Sequence, residues 1–378
     1  MAWSNTQLKR VDLEVRKLLA NRNLRGSRSG KKHLYLPRKL GGRGLQSVRA
    51  IASATSIRLD NYIHKELQWL LEAYPQSETL LRIRNTAQQA REKVGEAETA
   101  KDFTKKLHQL NLAKLKPLHQ AVEKAISSQP DVHAEASRNW LSKEGLSPAL
   151  EHTFFNIKEE LVQTRSVLKN RWKAAPANSS DKCRFCDKES ETLDHILSSC
   201  EKLSFIDYKD RHDQVARQIA KVVLEKFGVP WKYEYWTTPL PKTFPLARDG
   251  KEGTLLWDPR VRTVDKIEHN HPDLIIRLPE GPVAIVEIAV CNDFCVVERA
   301  LQKEQRYRQL AEDYAKKHRV YPTVLPIVVG TRGVVPKRTM KSLDTLKRWG
   351  FDVPISRLQK SAAVGSVKIV WKTLLSSG

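Results

Sequence analysis

His271-Pro272-Asp273-Leu274-Ile275-Ile276-Arg277, then Leu278-Pro279-Glu280-Gly281-Pro282, then Val283-Ala284-Ile285-Val286-Glu287-Ile288-Ala289-Val290, is the stretch from which the architecture unfolds. The first run is apolar, β-branched and bounded by proline, which reads as a strand. The middle holds the two residues that bend a backbone most readily, and reads as a turn. The third is a near-continuous apolar run of strand length, as expected for a strand buried on both faces. Folding symmetrically about Glu280 sets Asp273 opposite Glu287, with Cβ atoms roughly 4.5–5.5 Å apart. Two carboxylates that close in a dry interior repel, and a bound cation or a shared proton resolves the conflict. Hard divalent ions such as magnesium take oxygen ligands of this kind. The alternative is a Glu287 at a sheet edge, paired with Lys or Arg.

Around this hairpin lies a chain of 378 residues with a formal charge of +23 and 40% hydrophobic residues, so the expectation is a folded basic protein of two or three domains. The charge is uneven: residues 1–50 carry 13 Lys and Arg against two acids, and residues 337–378 carry nine against two. Such clustering suits a polyanionic partner, nucleic acid before acidic membrane. No apolar run approaches the ~18–20 residues a membrane span needs, and Met1-Ala2-Trp3-Ser4-Asn5 has no secretory h-region. Basic runs such as Lys31-Lys32 or Lys337-Arg338 could serve as import signals, and a nuclear location is expected.

Residues 1–25 carry Leu8, Val11, Val15, Leu18 and Leu19 on one helical stripe. A turn at 25–30, the glycine-rich Gly41-Gly42-Arg43-Gly44 and a helix from about Ser47 to Leu71 complete a basic helical region assigned to 1–75. Residues 76–175 read as a helical linker domain, broken near Pro117, Pro130 and Pro148, and 174–180 as a linker. A cysteine-bearing module spans 181–203. Within 204–378, helix 204–227 leads through an aromatic, proline-rich connector (Trp231, Tyr233, Tyr235, Trp236) to strands at 254–258, 273–278, 283–291 and 323–329, with helix 296–318 before the last.

Three of the five cysteines fall within eighteen residues, an argument for metal binding in a reducing compartment rather than a disulfide scaffold. Cys183, Cys186, His195 and Cys200 give C-x2-C-x8-H-x4-C, a spacing that offers three thiolates and an imidazole to one zinc ion. Such a site contributes roughly 10–16 kcal/mol of apparent binding energy, enough to hold a module with little core. Structural stapling and direct contact with nucleic acid, the latter through Arg184 and Lys182, both remain open. Cys183→Ser is expected to release zinc and unfold 181–203 while leaving the hairpin intact.

Helix 296–318 carries Lys303, Arg306 and Tyr307 on one face, so a lysine stands ready to reach a phosphate beside Asp273 and Glu287. Phosphodiester hydrolysis needs just such parts: a metal to orient water and neutralise the phosphate, and a nearby cation. Arg211-His212-Asp213 sits on a helix able to pack beside the sheet.

The order of these elements resembles the PD-(D/E)XK, restriction-endonuclease-like superfamily. More narrowly, residues 180–335 are similar to the C-terminal half of site-specific non-LTR retrotransposon proteins with a restriction-like endonuclease. The stretches that carry the likeness are the zinc motif with Glu191-Thr192, Arg211-His212-Asp213, Leu256-Trp257-Asp258 and Thr263-Val264-Asp265. They continue with Asn270-His271-Pro272-Asp273, Val286-Glu287-Ile288-Ala289, Lys303 to Tyr307 and Pro326-Ile327-Val328-Val329-Gly330. Residues 1–60 resemble, more weakly, the thumb region of such proteins. The resemblance implies an α/β nuclease core in which Asp273 and Glu287 ligate magnesium or manganese. Lys303 takes the role of the superfamily's strand lysine, whose usual position here is Ala289. Arg306 stands where the family often has a second Lys, and Glu287 where it often has Asp.

Secondary candidates at the site are Arg211, His212, Asp213, Asp265, Arg306 and Tyr307, with Asp213 and Asp265 read as structural. Nucleic-acid contact is assigned to Arg25, Arg28, Arg38, Lys39, Arg43, Arg165, Lys169, Arg171, Lys173 and Arg184. The implied activity is a metal-dependent nick in double-stranded target DNA, freeing a 3′-hydroxyl that primes reverse transcription. Element RNA or a polymerase domain are further implied partners. The chain has no Asp-Asp pair, the polymerase's metal-binding motif, so copying of RNA is not expected of it. The alternatives are a nucleic-acid-binding remnant that does not cut, and a free-standing repair or junction nuclease.

Overall fold

Ser4 opens the first helix with a reciprocal cap: it accepts from Gln7 N while the Gln7 side chain accepts from Ser4 N. The computed structural model describes residues 3–22, 24–26, 28–114, 121–176, 178–232, 238–264, 266–279 and 281–375. They form two units, Met1–Gln120 and Ala121–Gly378.

The first unit is helical: α1 (Asn5–Asn21), α2 (Lys31–Tyr35), α3 (Val48–Glu66), α4 (Gln68–Ala73), α5 (Glu78–Val94) and α6 (Ala100–Ala113). Ile57, Ala87, Ala90, Ala97 and Phe103 form its core between α3, α5 and α6. Buried Asp12 on α1 accepts from Ser47 Oγ at 2.6 Å and Val48 N at 2.8 Å, so α1 caps the start of α3. Gly42 is required where it stands, because a Cβ there would lie 2.1 Å from the Leu36 carbonyl oxygen. The boundary expected at 75/76 is therefore misplaced. Ala87, Ala90 and Phe103 complete the core begun by Ile57, so residues up to about 113 belong with the N-terminal helices. Pro117 lies outside the described residues.

The second unit begins with α7 (Ala121–Ser128), α8 (Ala134–Lys143) and α9 (Pro148–Lys158). After the cysteine region come α10 (Glu201–Leu203) and α11 (Lys209–Lys226), then a sheet of β1 (Thr243–Arg248), β2 (Lys251–Trp257), β3 (Leu274–Arg277), β4 (Val283–Cys291) and β5 (Thr323–Gly330). Helices α12 (Val296–Arg306) and α13 (Arg308–His318) lie between β4 and β5, and α14 (Lys337–Arg348) and α15 (Ile355–Leu375) follow. The fold is mixed α/β: a five-stranded sheet in sequence order, antiparallel from β1 to β4, with β5 parallel to β4.

Alternation along β4 sets the two layers. Ala284, Val286 and Ile288 pack against Val215, Ile219 and Val223 of α11 and Leu343 and Leu346 of α14. Ile285 packs against Tyr307, Leu310 and Tyr314, and Ala289 against Val296 and Ala300. On this second face Glu287 is the one charged residue among apolar neighbours, and it is fully buried. The outer edge of β5 is closed by hydroxyls of α14: Thr339 bonds both Val328 N and Val328 O, and Ser342 donates to Pro326 O.

Two expectations need correction. The stretch read as connector contains β1, whose Phe244 and Leu246 point into the core. Asp249 and Gly250, at φ 50° and 77°, turn it tightly into β2, the two-residue signal of a hairpin. Helix 296–318 is interrupted at Tyr307, the junction of α12 and α13. Tyr233, Tyr235, Trp236 and Glu280 lie outside the described residues. Among the described residues, no helix is long and apolar enough to cross a membrane.

Candidate functional site

The β3–β4 register pairs Leu274 with Val286, and one step further Asp273 meets Glu287, as the symmetric hairpin requires. The two side chains cross the ladder reciprocally. Asp273 N donates to Glu287 Oε1 at 3.1 Å, and Ile288 N donates to Asp273 Oδ2 at 2.7 Å. Both carboxylates face one ammonium: Lys303 Nζ lies 2.7 Å from Glu287 Oε2 and 3.7 Å from Asp273 Oδ2. Behind Asp273, His212 Nε2 stands 3.2 Å from Oδ2, while its Nδ1 is 3.0 Å from Asp213 Oδ1. Tyr307 closes the floor, donating to His271 O at 2.9 Å. Four elements thus supply the cluster: the start of β3, β4, α12 and α11.

Burial opposes the charge of His212, yet Asp273 and Asp213 raise its imidazole to about 9. Burial likewise opposes ionisation of Asp273, but His212 and Lys303 hold its carboxyl below the usual range. Burial and the Asp273 charge push Glu287 the other way, well above the usual carboxylate range, against the pull of Lys303. Two carboxylates set apart in this way are a common sign of a functional site. A raised histidine is stabilising below its unfolded value near 6.5, and that stabilisation is lost as pH rises through about 9. NMR titration of the metal-free protein is expected to give a His212 midpoint near 9, falling toward the ordinary value in Asp213→Asn; an unshifted wild-type midpoint would contradict the pairing.

Of the secondary candidates, His212, Asp213 and Tyr307 join the cluster. Arg211 does not: one residue round the helix from His212, it is buried and donates to Leu197 O at 2.8 Å. Arg306 is exposed, because the inner face of α12 runs through Val296, Ala300 and Lys303 and continues to Tyr307. Asp265 lies outside the described residues.

The cysteine region forms a second site. Ligand atoms of Cys183, Cys186, His195 and Cys200 lie within 4.8 Å of one another. Cys183 Sγ and Cys200 Sγ are 3.8 Å apart, and Cys186 Sγ and His195 Nε2 3.4 Å. A tetrahedral zinc ion with bonds of ~2.3 Å to sulfur and ~2.0–2.1 Å to nitrogen separates such ligands by roughly 3.5–3.8 Å. The sulfur separation is far beyond the ~2.05 Å of a disulfide. The cluster can bind zinc. Glu191, fully buried, braces the loop by accepting from Arg165 N, Arg184 N and the Arg184 guanidinium at 2.6–3.0 Å.

The module is not a separate domain, contrary to the 181–203 boundary. Cys183, Leu193, Ile196 and Cys200 share a core with Trp140, Phe154, Val367 and Val370. Removing zinc with a chelator, or by Cys200→Ser, is therefore expected to loosen the second half of α15 as well as 181–203. New proteolytic cleavage within 363–370 measures this; cleavage confined to 181–203 would show an independent module.

The basic residues assigned to nucleic acid divide. Arg25 is buried and donates to Ser29 O, and Arg184 is consumed by Glu191 and by Thr373 O at 2.6 Å, so neither presents its charge outward. Arg28, Lys39, Arg165, Arg171 and Lys173 are exposed, and Arg38, Arg43 and Lys169 half-buried. Arg165 and Arg171 also bond carbonyls, Lys182 O at 3.2 Å and Glu160 O at 2.7 Å. Sequence reasoning missed a gathering of cations in the first unit. Burial lowers Lys93, and Arg49, Lys32, Lys114 and Lys9 lower it further. It also missed the fully buried Arg332 between Asp293 and Asp194 (3.2 and 2.8 Å), whose parts are too far apart in sequence to signal one another.

No protein-family model matches the chain, and no curated protein matches it.

Proposed function

We propose that the second unit is a magnesium-dependent DNA endonuclease, and the observation that carries this reading is the convergence of Asp273 and Glu287 on Lys303, with His212 behind. The donor set suits such an ion. Asp273 and Glu287 bring hard carboxylate oxygens together, and the excess negative charge of Glu287 is only partly met by Lys303. Magnesium held by these two residues would neutralise the phosphate during in-line attack. Lys303 would then donate to a phosphate oxygen, a role open to it because its side chain is 17% exposed while Glu287 is fully buried. His212 holds the Asp273 carboxylate in position, and Asp213 fixes the imidazole.

The resemblance of residues 180–335 to the restriction-like endonuclease of non-LTR retrotransposons extends the proposal. The fold would be of the PD-(D/E)XK type, and the nick in double-stranded target DNA in the nucleus would provide a 3′-hydroxyl for reverse transcription. The crowded cations Lys9, Lys32, Arg49, Lys93 and Lys114 would grip nucleic acid in the first unit.

Relaxation of supercoiled plasmid tests the activity. Nicking is expected with magnesium or manganese and lost without them, and with Asp273→Ala, which should still bind DNA. Wild-type protein that binds plasmid but never nicks it would sink the enzymatic reading. It would favour a binding remnant, a second reading supported by the protein partner that each acid already has, Lys303 on Glu287 and His212 on Asp273.

A further inference from the structure

Arg211 is 1% exposed, yet among the described residues no carboxylate lies within ion-pair distance of it, and its Nε has no hydrogen-bond partner. Its guanidinium donates only to Leu197 O and, at 3.3 Å, to Ser366 Oγ, and lies over the Tyr208 ring. Burial opposes its charge, which Tyr208, Cys291 and Asp293 favour from within the fold. The stem of Arg211, packed against Gly365, lines a groove of about 600 Å³ between α11 and α15, together with Lys221, Arg357, Lys360, Lys368 and Lys372. Of the three acids in the lining, Glu144 is engaged with Lys360 at 3.6 Å and Asp207 with Lys372 at 2.7 Å; Asp210 is the third. Cations outnumber acids two to one within the lining, where Lys221 also reaches Glu225 outside it at 3.8 Å.

The charges are spread along the groove rather than gathered at a point. Arg357, Lys360, Lys368 and Lys372 follow one another along α15, and 15 residues of helix rise about 22 Å. That matches the axial rise of roughly six phosphates of one strand in B-form DNA. None of the lining residues is aromatic, so the groove offers no stacking platform for bases. His212 projects about 100° round α11 from Arg211, which sets the groove apart from the carboxylate cluster.

We propose that the α11–α15 groove binds the phosphate backbone of a single nucleic-acid strand. This goes beyond hydrolysis, since the groove holds whether or not Asp273 and Glu287 cut.

The test measures binding by the full, zinc-loaded chain to a fluorescent single-stranded oligodeoxynucleotide with no magnesium added, so failure to cleave cannot be confused with failure to bind. Arg357→Glu with Lys368→Glu, both exposed positions, is expected to weaken binding at least tenfold. It should also flatten the dependence of log affinity on log salt by about 1.4, with the far-ultraviolet spectrum unchanged. A local readout excludes binding elsewhere on the chain. A thiol placed by Ser361→Cys, midway along the groove, is alkylated and the modified peptide quantified by mass spectrometry. Protection by saturating oligonucleotide, but not by inorganic phosphate at equal phosphate concentration, is the expected result. No protection overturns the proposal. Equal protection by inorganic phosphate overturns it too, in favour of a small-anion site.

Discussion

Glu287→Gln is expected to reduce plasmid nicking roughly a thousandfold while leaving the thermal midpoint little changed. The loss follows from the role proposed for this carboxylate: withdrawing about 4 kcal/mol of transition-state stabilisation costs about three powers of ten in rate. On the stability side two effects oppose each other. Glu287 is fully buried and its carboxyl is held above the ordinary range by burial and by Asp273. Between its unfolded and folded values the unfolded chain ionises this acid more readily, so the group weakens the fold near neutrality. Glutamine removes that cost, but Asp273 N and Lys303 Nζ bond different oxygens of Glu287, so the amide keeps an acceptor for only one of them and the two effects offset. A variant that nicks normally, or that loses activity only because it unfolds, would contradict the assignment.

Arg332→Met is expected to destabilise the second unit by about 3–5 kcal/mol, the cost of leaving a buried charge without its partner. Arg332 is fully buried between Asp293 and Asp194, and reaches Glu160 Oε1 at 3.7 Å. Asp293 is equally buried and also accepts from Thr331 Oγ1 at 2.9 Å and Val334 N at 3.3 Å. Gly330 allows this packing, since a Cβ there would come 2.1 Å from Asp293 Oδ1. Because Asp194 precedes the zinc ligand His195, the variant should also release zinc faster to a chelator. Urea unfolding with an unchanged slope and a lowered midpoint is the expected result; a loss under about 1 kcal/mol would mean that water reaches the cluster.

The hairpin was legible because its turn is symmetric and its strands alternate, so the opposition of Asp273 and Glu287 followed from counting alone. Glu287 also stood out as a lone charge on the odd-numbered face of an apolar strand. The zinc ligands were legible from spacing, which tight turns constrain. The embedding of that module was not: its core depends on Val367 and Val370, more than 160 positions away in the sequence. β1 was hidden by the proline content of its surroundings, although Asp249-Gly250 was a usable sign. Arg211 and His212 read as one motif, yet adjacent helical residues point about 100° apart and serve different surroundings. Arg25 and Arg184 counted as basic surface in the sequence, but charge alone does not reveal burial.

Anomalous diffraction from crystals grown with manganese tests the central claim most directly. The expected result is a manganese peak between the Asp273 and Glu287 carboxylates, with the Lys303 ammonium moved off Glu287. A map with manganese elsewhere, and Lys303 still 2.7 Å from Glu287 Oε2, would contradict it.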